Sequence, residues 1–455
     1  MKNILFSLIV TLFLITSAVA ETPAVAPALD ARILDLQSAC DIALANNPSL
    51  AAAEARVKAA AERVSQSRAS YFPRIDATAT ASRINLSEND YVISLAQAKI
   101  LDPDASINDP GDYYSAGITA SWIVFNGFER HFSNLATKYG QTETKAARDD
   151  AHRLLLAAVA ETFYRAQLGR ENIAIAEADE AFNQRLAQEA RMREQFGTGP
   201  LSDILNFEVQ VNAARASVIT ARQGYDLALT GLAALLGFEN AMFPANMDLA
   251  RLSPEATERM LLPDLNNQMN YALTHRPDLV RADYTFKQAD AAVNVASADM
   301  YPDIILSASA TGDRVDDADF RNDDFGNTVA LTINYNIFAG GLTRAQINEA
   351  RANRMAAENM IANQRLEISS EVNKAMASLK ASQEQLKLQR DNAKLVNKNR
   401  ELVEKEYAAG QTSLVRLNEA QRNLVQAQGR LALARVSLDN AWYKLDVASG
   451  RNIEK

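Results

Sequence analysis

The sequence predicts a mainly helical α+β chain, in which long antiparallel helices carry a small set of four strands. Three observations point there. Two stretches, 128–196 and 341–408, hold a helical pattern for about 70 residues each. Four shorter stretches alternate apolar and polar residues with period two. The chain also repeats itself. "ALANNPSL" (Ala43 to Leu50) and "YFPRI" (Tyr71 to Ile75) return 229 residues later as "ALTHRPDL" (Ala272 to Leu279) and "MYPDI" (Met300 to Ile304).

The elements follow in order. Lys2, the apolar run "ILFSLIVTLFLIT" and the small residues Ala18 to Ala20 read as a secretory signal peptide over 1–20. A membrane-anchoring helix is the alternative, but the apolar run falls short of the ~20 residues a span needs. Each half then opens on a helix, 36–71 and 265–300, stopped by Pro73 and Pro302, because the residue before a proline is pushed out of helical geometry.

Strands come next. Ile75, Ala77, Ala79 and Ala81 oppose Asp76, Thr78, Thr80 and Ser82; Tyr114, Ala116, Ile118, Ala120, Trp122 and Val124 oppose Ser115, Gly117, Thr119 and Ser121. In the second half, 304–310 and 329–337 alternate in the same way. Between paired strands, 87–112 and 312–327 are rich in Gly, Asp and Asn and read as loops.

The long helical stretches leave "WIVFNGFER" and "YNIFAGGLTR" and would each run roughly 100 Å. They end at Gly-bearing turns, "FGTGPLSD" (196–203) and "YAAGQTSL" (407–414), from which a helix of about 35 residues returns. In the last one Leu417, Leu424, Leu431, Leu438 and Leu445 recur every seven residues, interleaved with Ala420, Ala427, Ala434 and Ala441: a closely spaced coiled-coil seam. The organisation is therefore a first repeat over 21–237, an inter-repeat equatorial segment at 238–264 that reads as a small excursion, a second repeat over 265–450, and a tail at 451–455.

Composition narrows the function. A formal charge of -9 on 455 residues argues against nucleic acid as a partner, since a phosphate-binding surface needs excess Lys and Arg. Cys40, the only cysteine, forbids an internal disulfide and reads as a small buried residue on a helix. His131, His152 and His275 are scattered, so no metal site is expected. "GTGPLS" lacks the Gly-Lys-Ser/Thr ending of a phosphate loop, and "DRVDDADFRNDD" lacks the spacing of a Ca²⁺ loop. No catalytic constellation and no cofactor motif stands out.

The strands carry the functional signal. They have membrane-spanning length and two-faced patterning, which suits a transmembrane β-barrel; a soluble sandwich uses the same alternation. A signal peptide and aromatics at strand ends (Tyr71, Phe72, Trp122, Phe125, Tyr301, Tyr335, Phe338) favour the membrane. Four strands also leave two open edges that only other copies could cover.

The duplicated "A-L…N-P-x-L…Y-F-P-x-I" opening, the "W-x-x-F-x-G" strand exit (Trp122, Phe125, Gly127) and the "Y-x-x-G" turn (Tyr407, Gly410) resemble the TolC-like outer-membrane efflux family, from about Leu36 to Gly450. The resemblance implies a homotrimer in the outer membrane of a Gram-negative bacterium. Three chains would share a 12-stranded barrel, set in outer-membrane lipid and continued by a periplasmic α-barrel. It implies a passive, non-enzymatic duct of a tripartite efflux or type I secretion system, joined through a periplasmic adaptor to an inner-membrane pump or ABC transporter.

The family's acidic gate rings lie six and nine residues after the second tip glycine, here Arg416 and Glu419; the same count from Gly199 gives Leu205 and Glu208. Arg416, Glu419, Glu208, Asp203 and Tyr407 are the gate candidates. Phe196, Gly197, Gly199, Pro200, Gly410, Gln411 and Thr412 are the adaptor-docking candidates. A periplasmic adaptor with its own helical hairpin is the alternative, though an adaptor normally has one hairpin and not two four-helix repeats. The sequence does not name the cargo.

Overall fold

The computed structural model describes residues 33–252 and 260–453, so the expected signal peptide lies outside the described residues. Strand β1 (Ile33–Leu34) precedes helices α1 (Leu36–Asn46) and α2 (Pro48–Ala69). Strands β2 (Arg74–Ile84) and β3 (Gly111–Asn126) flank helix α3 (Glu88–Leu101). The 67-residue α4 (Glu129–Gln195) turns into α5 (Leu201–Leu235). After β4 (Asp248–Leu249) the pattern recurs: α6 (Leu265–His275), α7 (Pro277–Ser297), β5 (Asp303–Val315), β6 (Phe325–Asn334), the 67-residue α8 (Leu342–Ala408) and α9 (Leu414–Ser449).

The opening helix of each half is two helices. Asn47 and Arg276 leave helical geometry at ψ 119° and 128°, because Pro48 and Pro277 exclude the helical region one residue earlier. Each break is used in the same way. Asn47 Nδ2 donates to the Leu235 carbonyl at 2.9 Å, and Arg276 Nη1 donates to the Ala448 carbonyl at 2.9 Å. Both acceptors lie two residues before a left-handed glycine, Gly237 (φ 72°) or Gly450 (φ 84°), that ends the return helix. The pre-proline side chain thus satisfies a carbonyl that a helix C-terminus leaves bare.

The two clasps differ in charge. Asn47 is neutral and also caps α2 by accepting from Ser49 N–H. Arg276, 1% exposed, is held by Asp278 and Glu371, and Asp278 stands 3.8 Å from the buried Arg153. Asp150 pairs with Arg153 at 2.8 Å.

The coiled-coil seam packs as its spacing predicts. Leu417, Leu424, Leu438 and Leu445 are buried with Ala420, Ala427, Ala434 and Ala441; Leu438 and Leu445 cluster with Ile368, Val372, Leu379 and Leu386 of α8, and Leu417 with Val403, Phe182 and Phe207. Cys40 is buried on α1, and burial pushes its thiol up to about 11. In the inter-repeat segment, β4 pairs in parallel with β1.

The four long strands form one antiparallel sheet in the order β2-β3-β5-β6. Beyond Asn334, Tyr335 and Ile337 lie outside the strand expected to include them. The segments expected to be loops are also more ordered: β5 continues to Val315, and α3 fills the first. Ser87 caps α3 by accepting from Asp90 N–H, with Glu88 and Asp90 in the first turn and Lys99 in the last.

We expect Arg276→Ala to destabilise the fold by about 3–5 kcal/mol, because it removes the charged partner of the largely covered Asp278 and leaves the Ala448 carbonyl without its donor. Asn47→Ala removes a neutral hydrogen bond and should cost about 1–3 kcal/mol. Denaturant unfolding of the two variants checks the ranking; equal losses would refute the charged-clasp account.

Candidate functional site

The register of the sheet assigns every side chain to a face. Ala77, Ile118, Ala310 and Asn327 lie in one cross-strand row, Ile75, Ala120, Ala308 and Val329 in the next, then Trp122, Leu306 and Leu331. The opposite face presents Asp76, Thr119, Ser309 and Thr328 in one row, and Thr78, Gly117, Thr311 and Gly326 in another. The sheet has an aliphatic side and a hydroxyl side.

No apolar side chain of β2, β3, β5 or β6 is among the buried core; Ile75 is 69% exposed and Val329 75%. An aliphatic face left uncovered by its own chain needs an apolar surrounding. Among the described residues no helix is long and apolar enough to cross a membrane.

Aromatic side chains collect where sheet meets helix. Phe125 and Phe128 rings pack edge-on at 5.3 Å, and Phe128 reaches Tyr301 at 6.5 Å. Trp122 Nε1 donates to the Tyr71 carbonyl, and Arg130 lies over the Tyr71 ring while donating to the carbonyls of Ser70 and Val124. Gly127 is required at this turn: at φ 61° a Cβ would stand 2.3 Å from the Ala298 carbonyl oxygen.

At the other end of the long helices the two tips close by one device. Gly197 (φ 70°) and Gly410 (φ 72°) are left-handed. Gly197 N–H donates to Glu194 O and Thr198 N–H to Arg193 O; Gly410 N–H donates to Tyr407 O and Gln411 N–H to Glu406 O. This pairing of bonds is a Schellman closure. Phe196, Pro200 and Gln411 are exposed around it, Gly199 and Thr412 partly so.

The equivalence corrects one expectation. The first tip glycine matching Gly410 is Gly197, not Gly199, so six and nine residues on lie Asp203 and Asn206 instead of Leu205 and Glu208. Asp203 is therefore the repeat partner of Arg416, with opposite charge. Glu208 is engaged elsewhere, by Arg191 at 2.6 Å.

Of the gate candidates, the structure brings together Asp203 and Tyr407, at 3.5 Å from hydroxyl to carboxylate. Burial, then the Asp203 charge, raises the Tyr407 pKa. Arg416 and Glu419 are both exposed and have no ion pair within the chain among the described residues.

Residues missed by sequence reasoning bind the hairpins to each other. Phe207 packs edge-on against Tyr407 at 6.3 Å, and Arg193 covers the Tyr407 ring. Arg185 and Arg400 both lie over Phe182, and both pair with Glu404. Gln421 donates to Asp179 at 2.7 Å. The available signal was Phe182 and Phe207 in a segment otherwise poor in aromatics, but their partners come from the other repeat and carry no local spacing.

The comparisons with known proteins agree with this geometry. A family model described as "Outer membrane efflux protein" matches residues 39–238 and 269–451. "Protein CyaE" of Bordetella pertussis is 27% identical, over 92% of this chain and 84% of that one. "Pyoverdine export outer membrane protein OpmQ" of Pseudomonas aeruginosa is 26% identical, over 90% and 84%. The fold is similar to the Campylobacter jejuni CmeC outer membrane channel, with TM-score 0.79 at 17% identity, over 91% of this chain and 85% of that one.

Burial raises the pKa of Asp179. A carboxyl raised in the folded state binds its proton more tightly than the unfolded chain does. Its contribution to stability is then full at low pH and is lost as pH climbs through the folded value. Asp179→Asn keeps an acceptor for Gln421 and should flatten that fall; unfolding profiles of both proteins across acidic pH check it.

Proposed function

Because the chain belongs to the outer membrane efflux protein family, we propose that it acts as one third of a homotrimeric exit duct gated at the hairpin tips. The family is one of transport proteins of the outer membrane that extend into the periplasm. The observation that carries the trimer is the sheet. It exposes an aliphatic face and ends at two unpaired edges, β2 and β6. In hydrocarbon an unpaired strand edge costs several kcal/mol per polar group, so the sheet must close. Three copies of four antiparallel strands give a closed ring of twelve, with β2 of one chain antiparallel to β6 of the next.

The hydroxyl face then lines the passage. Near the helix end Arg74 and Asp76 pair with each other at 2.9 Å, which leaves Asp303, on the face of Ser307 and Ser309, as the one net charge per chain at that end of the wall among the described residues. Selectivity falls also to the tips. With Asp203 and Arg416 at equivalent positions, a trimer alternates three negative and three positive groups around one level. Asn206 and Glu419 form the next. Pairing of Arg416 with Asp203 of a neighbouring chain would hold the tips closed, and Tyr407 fixes Asp203 from within its own chain.

The exposed glycine turns, with Phe196, Pro200, Gln411 and Thr412, lie at the free ends of the tunnel. They would receive a periplasmic adaptor, through which an inner-membrane pump or ABC transporter loads the duct. OpmQ is named for pyoverdine export; the cargo here is set by whichever pump joins. The same reading divides the chain into repeats over 21–237 and 265–450 about an equatorial segment at 238–264.

Two measurements test the reading. Light scattering in mild detergent should give a trimer; a monodisperse monomer would overturn it. In planar bilayers, Arg416→Asp should convert alternating charges into an all-acidic level, raising open probability and favouring cations. Unchanged conductance and reversal potential would remove the gate from this level.

A further inference from the structure

The repeat offset locates an insertion. Asn47 and Arg276, before the sheet, are 229 residues apart, whereas Gly197 and Gly410, beyond it, are 213 apart, so the first half has 16 more residues between its strands. That excess is helix α3 with its flanks.

Helix α3 is a formed helix without a partner. It is capped at its start and has no buried residue. Tyr91, Ser94, Leu95 and Ala98 are half-buried, which sets one face inward. Val92 (59% exposed), Ile93 (56%) and Ile100 (81%) form an apolar stripe on the other side with Ala96. A helix of 14 residues is marginal in water by itself. Such a stripe calls for a covering surface.

We propose that this stripe docks on the neighbouring copy of the chain, making a clamp at the outer rim of the barrel. The inference rests on the trimeric reading above. Its ground is continuity: α3 follows Ile84, the rim end of edge strand β2. The edge strand it must meet, β6 of the next copy, begins at the same rim with Phe325. Phe325 is 40% exposed and stacks on Phe320 at 5.7 Å in the 316–324 turn. That turn is strongly acidic, and Lys99 at the end of α3 has no ion pair within the chain among the described residues.

Paired cysteines test it in full-length protein in which Cys40→Ala removes the native thiol. Ile93→Cys with Ala318→Cys places one thiol on α3 and one on the 316–324 turn, and Thr80→Cys with Thr328→Cys places a pair on the same face of the two edge strands. With a short bismaleimide, both pairs should give dimers and trimers that survive SDS. If the edge pair links chains and the rim pair does not, the clamp is overturned and the trimer stands. If neither links, the trimeric reading falls and takes the clamp with it. A bimane on Ile93→Cys that brominated phospholipid quenches would assign the stripe to lipid and also overturn the clamp.

Discussion

Hydrocarbon offers no hydrogen bonds, and that constraint orders everything else in this chain. Each strand N–H and C=O at membrane depth needs a protein partner, yet β2 and β6 each have one neighbour and one bare edge. The uncovered aliphatic face makes the same demand in apolar terms. The four strands are thus unfinished alone, and the helices below inherit the arrangement the sheet requires. Every strand pair descends into a helical hairpin, so closing twelve strands also gathers the hairpins into a ring.

Two corner devices carry that coupling. Where strand becomes helix, Arg130, Trp122 and Tyr71 tie the ends together through backbone carbonyls, and Gly127 fits against Ala298 where no side chain can. Midway down, the pre-proline residues clasp the return helices. Sequence duplication preserved the geometry of the clasp while its chemistry diverged: Asn47 satisfies one carbonyl neutrally, and Arg276 does so within a buried ionic network. Removing either partner of such a network costs more than the network itself contributes, which makes the second half the less forgiving of the two.

Much of this was legible in the residues, since period-two and heptad patterns report local geometry. The strands, the two 67-residue helices and the seam of Leu417 to Leu445 followed from spacing alone. The single helices expected over 36–71 and 265–300 missed the breaks at 47 and 276, although the rule that stops a helix at Pro73 applies equally at Pro48 and Pro277. Helix α3 was hidden by its composition: Asp, Asn and Gly at its flanks look like a loop, and apolar residues lie both on its inward face, at Tyr91 and Leu95, and in the exposed stripe opposite, which blurs the period. The tip site was half legible. Tyr407, Gly410 and Asp203 stood out, but "GTG" offers two glycines and only φ tells which one turns. The Phe182 and Tyr407 contacts join residues about 200 positions apart, a relation that no window of sequence contains.

The clasp near Arg153 and Asn452 also acts as a fulcrum. Asn452 Nδ2 donates to the Arg153 carbonyl about a third of the way along α4, Gln167 and Arg170 tie the same helix to the Ala250 and Leu249 carbonyls, and the helix continues to Gln195. Beyond Arg170 the remaining arm is about 38 Å long at 1.5 Å rise per residue, so each degree of tilt there would move the tip by about 0.7 Å. A few degrees at the equator would part the tips by about the width of a water molecule. The strands above, held in their register, would scarcely feel it. In the proposed trimer such a duct would change bore at one end without loosening its grip on the membrane at the other.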